Sequence, residues 1–180
     1  MHMEAGKPAA PAVTRVLGID PGTAVMGYGI IDGKDDEMDL VTYGAINSKK
    51  NSPPDERLNH IFARLTELIE RHRPDVVAVE QPFVAQNVRS AFAIGRAQAV
   101  AILAAAVRGI PTREYTPAQV KQRVANYGAS SKEQMQEMVR LQLELDATPE
   151  PHDAADALAV AICHLRELHL NRLLSSQEKP

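Results

Sequence analysis

The chain is short of cysteine, of long apolar runs and of any surplus of one charge, and each shortage removes a class of protein. Cys163 is the only cysteine among 180 residues, so neither an internal disulfide nor a cysteine-rich zinc site is available, and a reducing compartment suits the chain. Its expected role is that of a small buried apolar residue. The most apolar stretch, residues 97–107, is too short to span a bilayer, and no charged start followed by an apolar run opens the chain. No membrane partner and a cytoplasmic location are therefore expected. The net charge of −3 neither advertises nor excludes a polyanionic partner, because phosphate binding depends on where Lys and Arg cluster. What the chain does have is 44% hydrophobic and 24% charged residues, the balance of a folded domain rather than a disordered one. Its length suits one ordinary α/β domain with a sizeable core.

Residues 1–11 are rich in Ala and Pro and lack periodicity, so residues 1–13 are expected to form a disordered extension, with one domain over 14–170 and a frayed tail over 171–180. Apolar residues over 15–19, 25–32 and 38–46, separated by Asp20-Pro21-Gly22 and by a second turn with Gly and acidic residues, predict three consecutive strands in an antiparallel meander. Ser52 as N-cap with Pro53 at the first helical position precedes Leu58, Ile61, Leu65, Leu68 and Ile69 at helical spacing, which predicts an amphipathic helix to about His72. Residues 75–80 read as a short buried strand, 87–108 as a long Ala-rich helix and 112–115 as another strand. Thr116 with Gln119, and Ser131 with Gln134, have the capping-box form and predict two short helices. After Pro149 and Pro151 a last helix is expected from Asp153 to about Leu170, with Leu158, Ala161, Ile162, Leu165 and Leu168 as its core stripe. This order fits an α/β fold with a mixed five-stranded sheet flanked by helices.

Asp20 closes the first strand and Glu80 the fourth, at the C-terminal ends where open α/β sheets form sites. Asp153 and Asp156 are three apart at the start of the last helix, so both project from one face, and the helix N-terminus favours their negative charge. One docked helix would deliver both to the strand ends. Four carboxylates at close range repel, and without a counter-charge some must take up protons. A divalent cation resolves that conflict. An all-oxygen donor set suits Mg²⁺ or Mn²⁺, which keep waters that phosphate oxygens can replace, and phosphodiester hydrolysis is the natural reaction. In a two-ion arrangement, with the ions about 3.5–4 Å apart, one activates water and the other stabilises the leaving oxygen. Taken singly, each acid has another explanation: Asp20 before Pro21-Gly22 as a turn residue, Asp153 as a helix cap, Glu80 as a strand-end acid reaching solvent. A charge closing the run Val76-Val77-Ala78-Val79 is nevertheless costly to bury unless paired or metal-bound. His152 is a second-tier candidate, as a ligand, a proton shuttle or a solvated cap residue.

Four segments, LGIDPGTAVMGYGII, VVAVEQPFVAQN, YTPAQVKQRVANYGASSKEQMQEMV and PHDAADALAVAICH, follow one another in this order, and over residues 16–165 the chain resembles the RuvC resolvase family. The resemblance implies an RNase H-like fold with strand order 3-2-1-4-5, strands 1–3 antiparallel. It implies a homodimer that resolves four-way (Holliday) DNA junctions by paired symmetric nicks with 5′-phosphate products, in homologous recombination and DNA repair. A branch-migration helicase is the partner it implies. By motif position, Asp20, Glu80, Asp153 and Asp156 match the family's catalytic, metal-binding carboxylates. Phe83 matches an aromatic near the junction centre, where a ring can stack on a base or wedge between bases. Lys121 and Lys132 match DNA-contacting lysines, each expected in a first helical turn. Arg89, after Glu80, is a further phosphate-contact candidate. An apolar loop contact for Phe83 and a solvated surface position for the three cations stay open. Ala91, Gly95 and Ala99 recur every four residues and allow close backbone approach; the resemblance implies that this helix packs on its twin, although a tight contact within one chain leaves the same signature. Many family members have a differently composed loop where this chain reads VANYGAS, residues 124–130, which bears on fine DNA contacts rather than on catalysis.

Two other functions compete. GIDPGT followed by Gly27 also resembles the phosphate-gripping first strand and turn of actin-like sugar kinases and ATPases, which need a second lobe. No second Asp-Gly-Gly loop follows residue 100, and 180 residues leave no length for that lobe. A non-cutting junction binder is the other, and the presence of all four carboxylates speaks against it.

Overall fold

The computed structural model describes residues 12–82, 88–125 and 131–177. Five strands, β1 (Thr14–Asp20), β2 (Val25–Lys34), β3 (Glu37–Asn47), β4 (Val76–Glu80) and β5 (Thr112–Tyr115), form one sheet in the order β3-β2-β1-β4-β5. The first three make the expected antiparallel meander, and β4 and β5 add on parallel to β1. Five helices accompany them among the described residues: α1 (Pro54–His72), α2 (Val88–Ala106), α3 (Pro117–Ala125), α4 (Lys132–Gln142) and α5 (His152–Gln177).

The two faces of the sheet are covered by different helices, and the alternation of side chains along each strand decides which residue meets which layer. Leu17, Ile19, Val77 and Val79 pack against Ile61, Leu65 and Ile69 of α1 and against Ala97, Ala101 and Ala104 of α2. Their neighbours Val16, Val76 and Ala78 face the opposite way, into a cluster with Val120, Val124, Met135, Val139, Leu158 and Ile162 from α3, α4 and α5. Asp20 shares its parity with Val16 and Gly18, and Glu80 with Val76 and Ala78. Both acids therefore emerge on the α5 side of the sheet.

Helix α5 is buried on every side between Ala157 and Leu165, so the expected stripe of Leu158, Ala161, Ile162 and Leu165 is part of a wider buried surface. It lies directly on backbone. A Cβ at Gly18 would stand 2.1 Å from the Ala157 carbonyl oxygen, and one at Gly27 would stand 1.8 Å from that of Asp153. Only glycine at these two positions lets α5 settle onto β1 and β2. Burial of Leu158 and Ile162 then contributes about 1.5–3 kcal/mol each.

Several local expectations are corrected. The N-cap of α1 is Pro53 rather than Ser52, with no side-chain cap bond; the Ser52 carbonyl instead accepts from Arg57 Nε at 3.0 Å. Helix α5 runs on to Gln177 where an end near Leu170 was expected, because no Gly or Pro interrupts residues 166–177. Both capping boxes are realised: Thr116 and Gln119 bond each other's backbone N–H groups at 2.8 and 3.2 Å, and so do Ser131 and Gln134. Helix α2 is long and apolar enough by composition alone to cross a membrane, yet Ala97, Ala101, Ala104 and Ala105 lie in the core. Its other face carries Val88, Phe92 and Leu103, which are 62%, 68% and 52% exposed. At Gly95 an added Cβ would meet nothing within 4 Å among the described residues, so no tight contact with them accounts for the small residue there.

Candidate active site

The site is assembled by strand register and by the glycine seat of α5. Strands β1 and β4 run in parallel with Ile19 opposite Val79, so the next residues, Asp20 and Glu80, close adjacent strands side by side. Asp20 stands opposite Gly27 in the antiparallel β1–β2 pair, and Gly27 is where the Asp153 backbone rests. The first turn of α5 thus begins beside Asp20, and Asp156 follows three residues later. Asp20, Glu80 and Asp156 line one cleft of about 300 Å³ together with Lys121 of α3 and Lys132 of α4, over a floor of Val120, Met135 and Ala159.

Electrostatics in the cleft are those of crowded acids. Burial, then the charges of Glu80, Asp156 and Asp153, push the Asp20 carboxyl from 3.8 up to about 8, against a partial relief from Lys132. Burial and then Asp156 push Glu80 up to about 7, with Lys121 and Lys132 opposing. Lys132 Nζ lies 3.2 Å from Asp156 Oδ2. Burial lowers the Lys132 ammonium, but Asp156, Asp153 and Asp20 outweigh it and hold it above its ordinary value.

A cation would offset the repulsion among these acids. Among the described residues no three His, Cys, Asp or Glu side chains stand close enough to grip one ion unaided. The donor set suits a hard divalent cation that takes one or two carboxylates and fills its remaining positions with water and phosphate oxygens. The donors are all oxygen, and burial with mutual repulsion raises the proton affinity of Asp20 and Glu80.

The sequence profile described as "Crossover junction endodeoxyribonuclease RuvC" matches residues 16–164. The chain belongs to the RuvC family. The crossover junction endodeoxyribonuclease RuvC of Dehalococcoides mccartyi is 53% identical over 161 residues, covering 89% of this chain and 96% of that protein. RuvC of Chloroflexus aurantiacus is 52% identical over 150 residues, covering 83% and 92%. Among solved structures, Thermus thermophilus RuvC in complex with a Holliday junction substrate superposes with a TM-score of 0.83 at 35% identity, covering 88% of this chain and 96% of that one. The yeast mitochondrial Holliday junction resolvase shares the fold, with a TM-score of 0.63 at 15% identity over 92% of this chain and 85% of that one. The RuvC likeness and the strand order together make this the RNase H-like fold.

Not every candidate residue joins the RuvC cleft. Asp153 is absent from its lining, although its charge acts on Asp20. His152 is exposed, with Nδ1 held by Gln136 Nε2 at 2.8 Å, and Arg89 is exposed on the first turn of α2. Lys121 is the fifth residue of α3 and so stands in the second turn rather than the first, whereas Lys132 opens α4 as expected. Phe83 lies outside the described residues, as does most of the VANYGAS segment. Two contacts escaped the sequence reading. Gln136 is one; the other is behind the cleft, where Tyr115, the strand neighbour of Glu80, places its hydroxyl 2.6 Å from His164 Nδ1 with both side chains buried. Burial, then Arg113, pulls His164 down to about 4, so that it is neutral at neutral pH. A polar His inside an otherwise apolar helix face was the available signal.

Proposed function

We propose that this chain resolves four-way DNA junctions, as an endodeoxyribonuclease whose Asp20, Glu80, Asp153 and Asp156 hold divalent metal. The observation that carries this reading is the meeting of Asp20, Glu80 and Asp156 in one cleft, on a chain that matches the RuvC family over residues 16–164. When bound, two Mg²⁺ or Mn²⁺ ions would neutralise the acids, activate the attacking water and stabilise the leaving oxygen. Asp20 and Glu80 give donors fixed by strand register; Asp153 and Asp156 give donors fixed to one helix. Lys121 and Lys132, which line the same cleft, hold the phosphate by charge and orient the backbone across the acids. His152 is the candidate for handling a proton at the edge of the site, oriented by Gln136. Phe83 is assigned to the junction centre by motif position, and Arg89 to the backbone of an arm.

Paired nicks need two clefts, and the exposed stripe of Val88, Phe92, Gly95 and Ala99 on α2 supports a homodimer formed by this helix and its twin. In this reading residues 14–170 are a single nuclease domain, the protein works in the cytoplasm, and a branch-migration helicase presents the junction to it.

The experiment is a synthetic four-way junction offered to wild type and Asp20→Asn with Mg²⁺, with Mn²⁺ and with chelator. Wild type is expected to cut symmetrically in either metal and not in chelator, and the variant to bind the junction without cutting. Cleavage by Asp20→Asn at the wild-type rate would remove Asp20 from the metal site.

A further inference from the structure

Lys132 makes a contact that phosphate binding does not require. Its side chain is 58% exposed, with solvent open to it, yet Nζ sits 3.2 Å from Asp156 Oδ2 inside the cleft. The helix it opens is also latched at a second point, since buried Gln136 reaches His152 Nδ1 at 2.8 Å. Residues 132 and 136 are four apart on α4, and 156 and 152 are four apart on α5, so the two contacts are rungs of one antiparallel ladder between neighbouring helix faces. The rungs differ in kind. Gln136–His152 is a hydrogen bond outside the cleft lining, whereas Lys132–Asp156 is ionic and occupies one of the acids proposed to hold metal.

We propose that Lys132 is a built-in stand-in for the cation: it holds Asp156 in the metal-free protein and passes to a DNA phosphate when a divalent ion takes Asp156, while the Gln136–His152 rung keeps α4 docked. This rests on the reading of the acids as a metal site. Two consequences follow from the exchange. The ion must displace a bonded ammonium, so metal binding to the DNA-free protein is weaker than the acids alone would make it. The freed lysine becomes available to DNA only with the ion in place, so metal tightens junction binding through Lys132, and by linkage the junction tightens metal binding equally.

The test is Mn²⁺ titration of the DNA-free protein by calorimetry, comparing wild type with Asp20→Asn, Lys132→Ala, Lys132→Met and Lys121→Ala. Lys121→Ala is the control, because it removes an equal charge from the same cleft and, among the described residues, breaks no salt bridge. Both Lys132 variants are expected to bind Mn²⁺ about two- to fivefold tighter, the scale of one partly exposed ion pair, and Lys121→Ala to tighten it clearly less, since only a more distant charge is lost. In a parallel junction-binding assay with Ca²⁺ in place of the catalytic metal, wild type is expected to gain affinity on adding the ion and the Lys132 variants to gain little. Equal tightening in the Lys121 and Lys132 variants, or none in the latter, overturns the exchange. Mn²⁺ binding that is indifferent to Asp20→Asn instead overturns the metal site itself, and the exchange with it.

Discussion

Removing the Asp20 carboxylate is expected to make the metal-free protein more stable at alkaline pH, the reverse of what losing a buried side chain usually does. Burial first, and then the charges of Glu80, Asp156 and Asp153, raise this carboxyl from 3.8 to about 8. Between about pH 4 and pH 8 the folded chain therefore binds more protons at Asp20 than the unfolded chain does, so stability falls as pH rises through that window, and above pH 8 the full cost stands. At 1.36 kcal/mol per unit the ceiling on that cost is about 5–6 kcal/mol. Side-chain relaxation and water penetration reduce it, and about 2–4 kcal/mol is the expected gain for Asp20→Asn, whose amide keeps the shape and carries no charge. For a chain of this length that is a rise of about 5–15 °C in Tm. The assay is thermal unfolding of wild type and variant in chelator from pH 4 to pH 8.5, repeated with Mn²⁺. The variant should melt higher at pH 8, the gap should close toward pH 4, and Mn²⁺ should stabilise wild type but not the variant. A variant no more stable than wild type at pH 8 in chelator would refute the picture of Asp20 as an acid confined among acids.

Gly27→Ala puts a Cβ against the Asp153 carbonyl, so α5 must shift; a loss of about 1–3 kcal/mol in urea denaturation and at least a severalfold loss of junction cleavage are expected. Cleavage at the wild-type rate would show that the seat of α5 is not tight. Tyr115→Phe leaves His164 Nδ1 buried without its partner and should cost about 1–3 kcal/mol in the same assay, while an unchanged midpoint would count against that hydrogen bond. Phe92→Glu on the exposed stripe of α2 should turn a dimer into a monomer in sedimentation velocity, and a dimer that survives it does not use this face.

Much of this architecture can be read from the chain because its two periods do not overlap. Alternation through Val16, Gly18 and Asp20, and through Val76, Ala78 and Glu80, already puts the two strand acids on one face, and the structure places α5 on that face. Capping boxes at Thr116 and Ser131 mark the starts of α3 and α4 because each is a local device of four residues. Helix ends are less legible: Ser52 looks like a cap but loses its role to consecutive prolines, and nothing within residues 166–177 forces α5 to stop where its apolar stripe does. Gln136–His152 and Tyr115–His164 span 16 and 49 residues, so no period announces them; they exist only once α4 and β5 are packed against α5. Which acids line the cleft is likewise a matter of packing, and of four acids of equal standing in the chain three line it.

The glycine floor under α5 also governs how errors spread. Where two backbones touch, no rotamer exists to take up a misfit, so the helix can answer a disturbance only by rocking as a rod. Asp153 and Asp156 ride on the same end of that rod and would move together, while Asp20 and Glu80 stay with the sheet. Damage anywhere along the floor, even a turn or more away at Gly18, should thus be felt as a change in one opening: the gap between a pair of acids on the rod and a pair on the sheet.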